Sequence, residues 1–292
     1  MNETLHTNVL AIDGGGTRCR AALSMAGHVL TVETGAANVM SDFDGGVAQI
    51  VASLSGLAKQ AGVGLEALLR YPAFVGLAGV TGPEITQRLR AALPLKVLRI
   101  NDDRPAALRG ALGVREGVIV HCGTGSFFGA QIAGAVRFSG GWGPVLGDEA
   151  SAQWVGRSAL RLALEAIDGR AQKTALAAAL LDKFKGAEGI VSFGRTASPA
   201  EFGALAPLVT DAAGRGDQLG VQIMAEGAQD IARSLAPIGW KPGLTICLTG
   251  GIAPYFEPYL PGEIQTDIAP PSGAPLTGAL DLALELAREC SR

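Results

Sequence analysis

Aromatic side chains make up only 5% of this 292-residue chain and charged ones only 17%, against 48% hydrophobic residues and 41 glycines. That balance excludes a disordered or fibrous chain and describes an Ala/Leu/Val/Gly-rich globular one. Cysteine is sparse: Cys19, Cys122, Cys247 and Cys290 lie far apart with no C-x-x-C pair, which argues against a zinc site or a disulfide framework. The first three read as buried strand residues. The three histidines, His6, His28 and His121, are isolated and receive no catalytic role, His28 reading as a solvated hairpin residue. A formal charge of -3 with no Lys/Arg cluster leaves no surplus for a phosphate backbone, so nucleic acid is not an expected partner. No apolar run reaches a membrane span, and Met1-Asn2-Glu3 lacks the basic start of a signal peptide. The expectation is a cytoplasmic protein without a membrane partner.

The length suggests two domains, each able to bury its own core, and hence an interdomain cleft. The apolar run Asn8 to Ile12 ends at a glycine turn, and strands at Arg18 to Met25 and Val29 to Glu33 follow across the Ala26-Gly27 turn. Val47, Ile50, Val51, Leu54, Leu57, Ala58 and Ala61 form one stripe on a helix, with Ser41 or Asp42 as N-cap and Gly62 as its stop. A strand at Ala73 to Leu77, a helix from Pro83, a strand at Lys96 to Ile100 and a short helix around Pro105 complete a first domain over 1–110. The pattern restarts near Gly117, where Val118 to Cys122 runs into a second glycine turn and the strand Phe127 to Ile132. Such a restart is what an internally duplicated α/β chain shows. A second domain over 111–275 carries helices near Glu149 to Ala166, Ala171 to Phe184 and Asp217 to Leu235, then a strand Leu244 to Thr249. An amphipathic helix from Pro275 to Arg288 ends the chain, and 276–292 is assigned to the first domain.

Asp13-Gly14-Gly15-Gly16-Thr17 lies between two strands, where successive glycines let backbone N–H groups face one concavity and a phosphate approach without Cβ interference. An acid beside phosphate calls for a cation, so Asp13 reads as a Mg2+ partner, and Thr17 as a hydroxyl donor to a phosphoryl oxygen. Gly123-Thr124-Gly125-Ser126 repeats the device, and the two turns read as the jaws of a phosphate clamp. A dinucleotide fingerprint would need a helix directly after the glycines, and no G-x-x-x-x-G-K-[ST] occurs, so Rossmann and P-loop cradles are excluded. In Asn101-Asp102-Asp103-Arg104-Pro105, Asp103 suits the helix cap, leaving Asp102 to accept the proton of a substrate hydroxyl. Gly140-Gly141-Trp142-Gly143 through Gly147-Asp148-Glu149 combines glycine, an aromatic ring and acids, a set suited to a sugar; the plainer alternative has Trp142 filling core and Asp148 capping a helix. Gly250-Gly251, with Ser272-Gly273-Ala274, reads as a wall for a base or ribose.

D-G-G-G-T at 13–17, N-D at 101–102, G-T-G-S at 123–126, G-G-W-G-x-x-x-G-D-E at 140–149 and T-G-G at 249–251, in this order, resemble the BadF/BadG/BcrA/BcrD ATPase family, especially its N-acetylglucosamine and glucosamine kinases. The resemblance implies an actin-like ATPase fold, two ribonuclease-H-like domains closing on ATP, Mg2+ and an amino sugar, with transfer to the sugar 6-hydroxyl. It implies Asp102 as general base, Gly14, Gly15, Gly16, Thr17, Thr124, Gly125 and Ser126 at the phosphates, and Gly250 and Gly251 at the nucleotide. Asn38, which alone reads as a turn asparagine, joins Gly141, Trp142, Gly143 and Asp148 at the sugar. The last helix is expected to fold back on the first domain, and the chain to form a homodimer. Arg18 and the pair His121-Cys122 depart from the family's usual residues. The rival expectation is an ATP-hydrolysing conformational switch acting on a protein partner; the iron–sulfur activators of the family carry closely placed cysteines absent here. A sugar-sensing repressor would need a DNA-binding extension ahead of the first strand.

Overall fold

The computed structural model describes residues 7–291, so His6 and the Met1 to Glu3 start lie outside the described residues. The chain divides into two compact units, one formed by Met1–Val114 with Ser272–Arg292 and the other by Arg115–Pro271. No helix among the described residues is long and apolar enough to cross a membrane.

The first unit is a five-stranded sheet in the order β3-β2-β1-β4-β5, built from β1 (Val9–Gly14), β2 (Cys19–Met25), β3 (His28–Thr34), β4 (Ala73–Leu77) and β5 (Leu98–Asn101). β1, β2 and β3 pair antiparallel and β1, β4 and β5 parallel, the mixed pattern that hairpins followed by helical crossovers produce. The helix Phe43–Ala61 covers one face with Ile50, Leu54 and Leu57. Its start is fixed by the Asp42 carboxylate, which accepts from Gly45 N–H at 2.9 Å, and its end by Gly62 at φ 67°.

The other face is covered by the final helix Pro275–Cys290, whose Ala279, Leu280, Ala283 and Ala287 pack on Val9, Ala11, Ala22, Phe74 and Ala106. These small side chains bring it close to the helix Arg104–Leu112, and a Cβ on Gly278 would collide with the Ala106 carbonyl and the Gly110 backbone. Arg109–Glu285 at 2.5 Å ties the same two helices at their rim.

The second unit repeats the central part of this plan in a sheet of order β8-β7-β6-β9, from β6 (Gly117–Cys122), β7 (Ser126–Ile132), β8 (Ala135–Gly140) and β9 (Ile246–Thr249). The antiparallel hairpins and the parallel β6–β9 pair match β1 with β2, β3 and β4. Both units close their second hairpin with Ala-Gly: Ala26 and Gly27 at φ 50° and 80°, Ala133 and Gly134 at 49° and 75°, the turn that suits a right-twisted hairpin. One face of the sheet buries Val118, Val120 and Cys122 against helices that include Ala152–Ile167 and Gln218–Ile238. The first of these begins three residues later than Glu149, because the Ser151 side chain and not an acid accepts from Trp154 N–H. Cys19, Cys122 and Cys247 are buried strand residues, as their placement suggested.

Candidate functional site

In the first unit the chain turns between β1 and β2 through Gly14 to Arg18, closed by Gly15 N–H donating to Arg18 O at 2.9 Å. The Gly14 and Gly15 carbonyls are tied to Ala78 N–H at 2.8 Å and Ala37 N–H at 2.9 Å, which fixes the turn against its surroundings. A Cβ on Gly14 would sit 2.5 Å from Leu77 Cδ2, so a side chain there would force the buried Leu77 to shift. Gly16 is different: a Cβ there meets nothing within 4 Å and its φ is not left-handed. Gly16 and Thr17 are exposed, and their amides form no hydrogen bond within the described chain.

Asp13, next to this turn, faces Arg20 across the β1–β2 ladder, and its carboxylate accepts from that guanidinium at 2.5 Å. The acid read as a metal partner therefore carries an organic cation. Among the described residues no group of three or more His, Cys, Asp or Glu side chains could hold a metal. Mg2+ needs no such cage when one carboxylate, substrate phosphates and waters complete its octahedron, so Asp13 beside the open amides fits it.

Asp102 follows β5, and its Oδ1 accepts from the Arg104 backbone N–H at 3.0 Å and Nε at 2.9 Å while Oδ2 accepts from the guanidinium at 3.0 Å. This corrects the capping role expected of Asp103. Asp103 occupies the N-cap position of the helix but makes no cap hydrogen bond through its side chain; the local amide is taken by Asp102. Burial, then the charges of Asp102 and Asp13, push the Asp103 carboxyl up to about 6. Asn38 is a turn asparagine, its Oδ1 accepting from Met40 N–H at 3.0 Å and Ser41 N–H at 3.4 Å.

The second unit holds the second turn, where Gly123 N–H donates to Gly125 O at 2.9 Å and the amides of Thr124 and Gly125 form no hydrogen bond within the described chain. Thr124 is exposed. Ser126 is not a free hydroxyl: it is buried and donates to Glu149 O at 2.6 Å, which corrects its expected place among the phosphate donors. Ala152 N–H donates to Gly123 O at 2.8 Å and Gly141 N–H to Ser126 O at 2.9 Å, so the segments around 141 and 149 clamp this turn.

Asp148 belongs to the same clamp. It is 8% exposed at φ 60°, and burial raises its carboxyl while the N–H groups of Ser126 and Gly143 donate to it and oppose the rise. It does not cap the following helix, and its carboxylate is engaged by the backbone instead of standing open for sugar hydroxyls. Trp142 is 74% exposed and fills no core, with Val145 and Leu146 exposed beside it, and Gly141 and Gly143 hold the loop at left-handed φ. Gly250 and Gly251 follow β9 and are exposed, Gly250 abutting the Cys122 carbonyl. Ser272, expected with them, donates its N–H to Ala111 O at 2.8 Å and belongs to the first unit. A separate cavity of about 420 Å³ lined by Ala175, Leu176, Leu208 and Arg215 holds none of these residues.

Sequence reading missed Arg20 and Arg104, the cations on the two principal acids. Arg20 was accessible through hairpin register, because β1 and β2 pair Gly14 with Cys19 and so Asp13 with Arg20. Arg104 carried only the weak signal of a basic residue two places beyond an acid.

Two matched mixed sheets, each with a glycine turn after its central strand, define an actin-like ATPase of the duplicated ribonuclease-H-like type. The chain belongs to the BadF/BadG/BcrA/BcrD ATPase family, which it matches over residues 10–280. It is 29% identical over 279 residues to the glucosamine kinase GspK of Vibrio cholerae serotype O1, covering 94% of this chain and 95% of that one. It is 30% identical to the N-acetylmuramic acid/N-acetylglucosamine kinase of Clostridium acetobutylicum, over 79% of this chain and 78% of the relative. A solved structure from Chromobacterium violaceum, described as a candidate N-acetylglucosamine kinase, superposes with TM-score 0.81 at 31% identity, over 95% of this chain and 99% of that one.

Proposed function

We propose that this protein is an amino-sugar kinase that transfers the γ-phosphoryl group of ATP to the 6-hydroxyl of glucosamine or N-acetylglucosamine. The observation that carries the reading is the pair of topologically matched turns whose outer amides, at Gly16 and Thr17 and at Thr124 and Gly125, are left open to an anion. The open space beside Gly16 supports it, since no contact inside the protein requires glycine there and a bound phosphate would. Curated relatives named as amino-sugar kinases supply the substrate class and favour this reading over a conformational switch.

Within this proposal Gly14 to Thr17, Thr124 and Gly125 hold the polyphosphate through backbone N–H groups and hydroxyls, and Gly250 and Gly251 line the nucleotide. Asp13 would hold Mg2+, which when bound neutralises charge on the β- and γ-phosphates. Arg20 keeps that carboxylate directed before the metal arrives. Asp102 accepts the proton of the attacking 6-hydroxyl, and Arg104 fixes both of its oxygens so that one approach remains. Asn38, Gly141, Trp142 and Gly143 contact the sugar, and Asp148 acts on it by fixing the loop that presents Trp142 and the backbone of Gly141 to Gly143. The protein works in the cytoplasm as a homodimer.

The test is ADP release, coupled to a spectrophotometric readout, over a panel of hexoses and amino sugars. Stimulation by glucosamine or N-acetylglucosamine is expected. ATP hydrolysis that no sugar stimulates would overturn the kinase reading.

A further inference from the structure

His121 lies on the strand that runs into the Gly123 to Ser126 turn, and the kinase reading gives it no task. It is the penultimate residue of β6, as Asp13 is of β1, and each sits between an antiparallel and a parallel neighbour immediately before the turn. In the first unit this position carries the acid assigned to the metal. In the second it carries a ring held on three sides. The imidazole stacks on Phe127 with centroids 4.8 Å apart and planes at 23°, and Phe127 is its cross-strand partner. Nδ1 lies 3.1 Å from Thr249 Oγ1 on the parallel neighbour. Nε2 lies 3.3 Å from where a Cβ on Gly123 would stand and has no partner within the described chain.

A bound anion determines which nitrogen carries the proton. Burial lowers the basicity of His121 to about 4, so at neutral pH the ring is uncharged and has a single N–H. Thr249 has one hydroxyl hydrogen and two acceptors in reach, His121 Nδ1 at 3.1 Å and Val120 O at 3.4 Å. The hydroxyl donates to Val120 O, so the Nδ1 contact alone leaves either ring nitrogen able to carry the proton, Nε2 lying at the edge of the Gly123 to Ser126 turn. An anion in that turn selects the tautomer with the proton on Nε2, because a lone pair on Nε2 would repel it.

We propose that His121 is a phosphate-binding residue, oriented by Thr249 and Phe127, whose uncharged Nε2–H donates to the polyphosphate held by the Gly123 to Ser126 turn. The proposal rests on the reading of that turn as a phosphate site. A neutral donor suits the position, since it adds one directed hydrogen bond to an oxyanion. Gly123 serves the same end, because any side chain there would press on Nε2.

The experiment measures ADP, ATP and adenosine binding to the full chain by calorimetry for the wild type, His121→Phe, His121→Gln, Thr124→Val and Gly16→Val. His121→Phe keeps the stack and removes the donor; ADP and ATP are expected to bind roughly tenfold more weakly, with adenosine unchanged. His121→Gln, whose amide can donate from a similar point, is expected to recover part of the loss. If Thr124→Val and Gly16→Val weaken ADP while both His121 variants bind it like the wild type, the His121 proposal falls and the kinase reading stands. If the wild type binds no nucleotide, both fall. Should His121→Phe fail to fold, ¹⁵N spectra of the wild-type imidazoles decide the matter, only three histidines being present. An Nε2–H tautomer whose Nε2 resonance moves with ADP supports the proposal, and an Nδ1–H tautomer or an unmoved resonance in the ADP complex overturns it.

Discussion

Asp102 and Asp103 are adjacent carboxylates with different surroundings, and they should respond differently to substitution. Asp102→Asn removes the proton acceptor but keeps a side chain of the same shape, so kcat should drop by about 10²–10⁴ while the ATP dissociation constant changes little; single-turnover and equilibrium binding measurements separate the two. Asp103 is held near 6 by burial and two neighbouring acids, above its ordinary 3.8. A folded carboxyl raised above its unfolded value adds stability that is complete below 3.8 and is lost as pH rises through about 6. Asp103→Asn should therefore melt higher than the wild type at pH 8, with the gain vanishing near pH 4; equal melting temperatures at pH 8 would contradict the burial argument. Asn38 shows how far single residues could be read in sequence. Its turn role was legible because the side chain bonds amides two and three residues ahead. Ser126 was misread because its hydroxyl is consumed by a carbonyl 23 residues away.

At the scale of elements, two close approaches lend themselves to test. Gly278 lets the last helix settle on the helix Arg104–Leu112, and Gly278→Val should lower stability by about 1–3 kcal/mol, read as a fall in denaturant midpoint. Ala26 and Ala133 sit at left-handed φ in matched hairpin turns, where an L-residue other than Asn or Asp is strained. Ala26→Asn should raise stability by on the order of 0.5–1 kcal/mol, measured in the same denaturant series. Those turns also show why one strand was legible and its counterpart was not. β3 was read from Val29, Leu30 and Val32 after Ala26-Gly27, whereas in β8, an edge strand as β3 is, Arg137, Ser139 and Gly140 interrupt the apolar run. The shared Ala-Gly dipeptide was the available signal. The start of the helix Ala152–Ile167 was misplaced because Asp148 and Glu149 look like a helix N-terminus while the backbone uses Ser151.

For the molecule as a whole, the repeated strand order is the main organising fact, with β3-β2-β1-β4 in one unit and β8-β7-β6-β9 in the other. Each unit holds one turn with open amides, and on the proposed function nucleotide should stabilise the native state as a ligand that does not bind the unfolded chain. ADP at a hundredfold its dissociation constant should add about 2.7 kcal/mol, visible as a melting shift of several degrees that adenosine at the same concentration does not match. A shift equal for adenosine and ADP would deny the turns their role.

The sequence by itself determined the glycine turns, the helix start to Ser41 or Asp42 and its stop at Gly62, the order of the strands and longer helices of the first unit and the buried cysteines. These follow from backbone preferences and hydrophobic periodicity acting over a few residues, which any local reading captures. Only the tertiary structure decided which cation meets each acid, that Ser126 and Asp148 brace the second turn, that Trp142 stands in solvent, and that His121 is held beside Gly123. Those outcomes depend on register and burial between distant segments, and a side chain's partner and its access to water are properties of the packed fold.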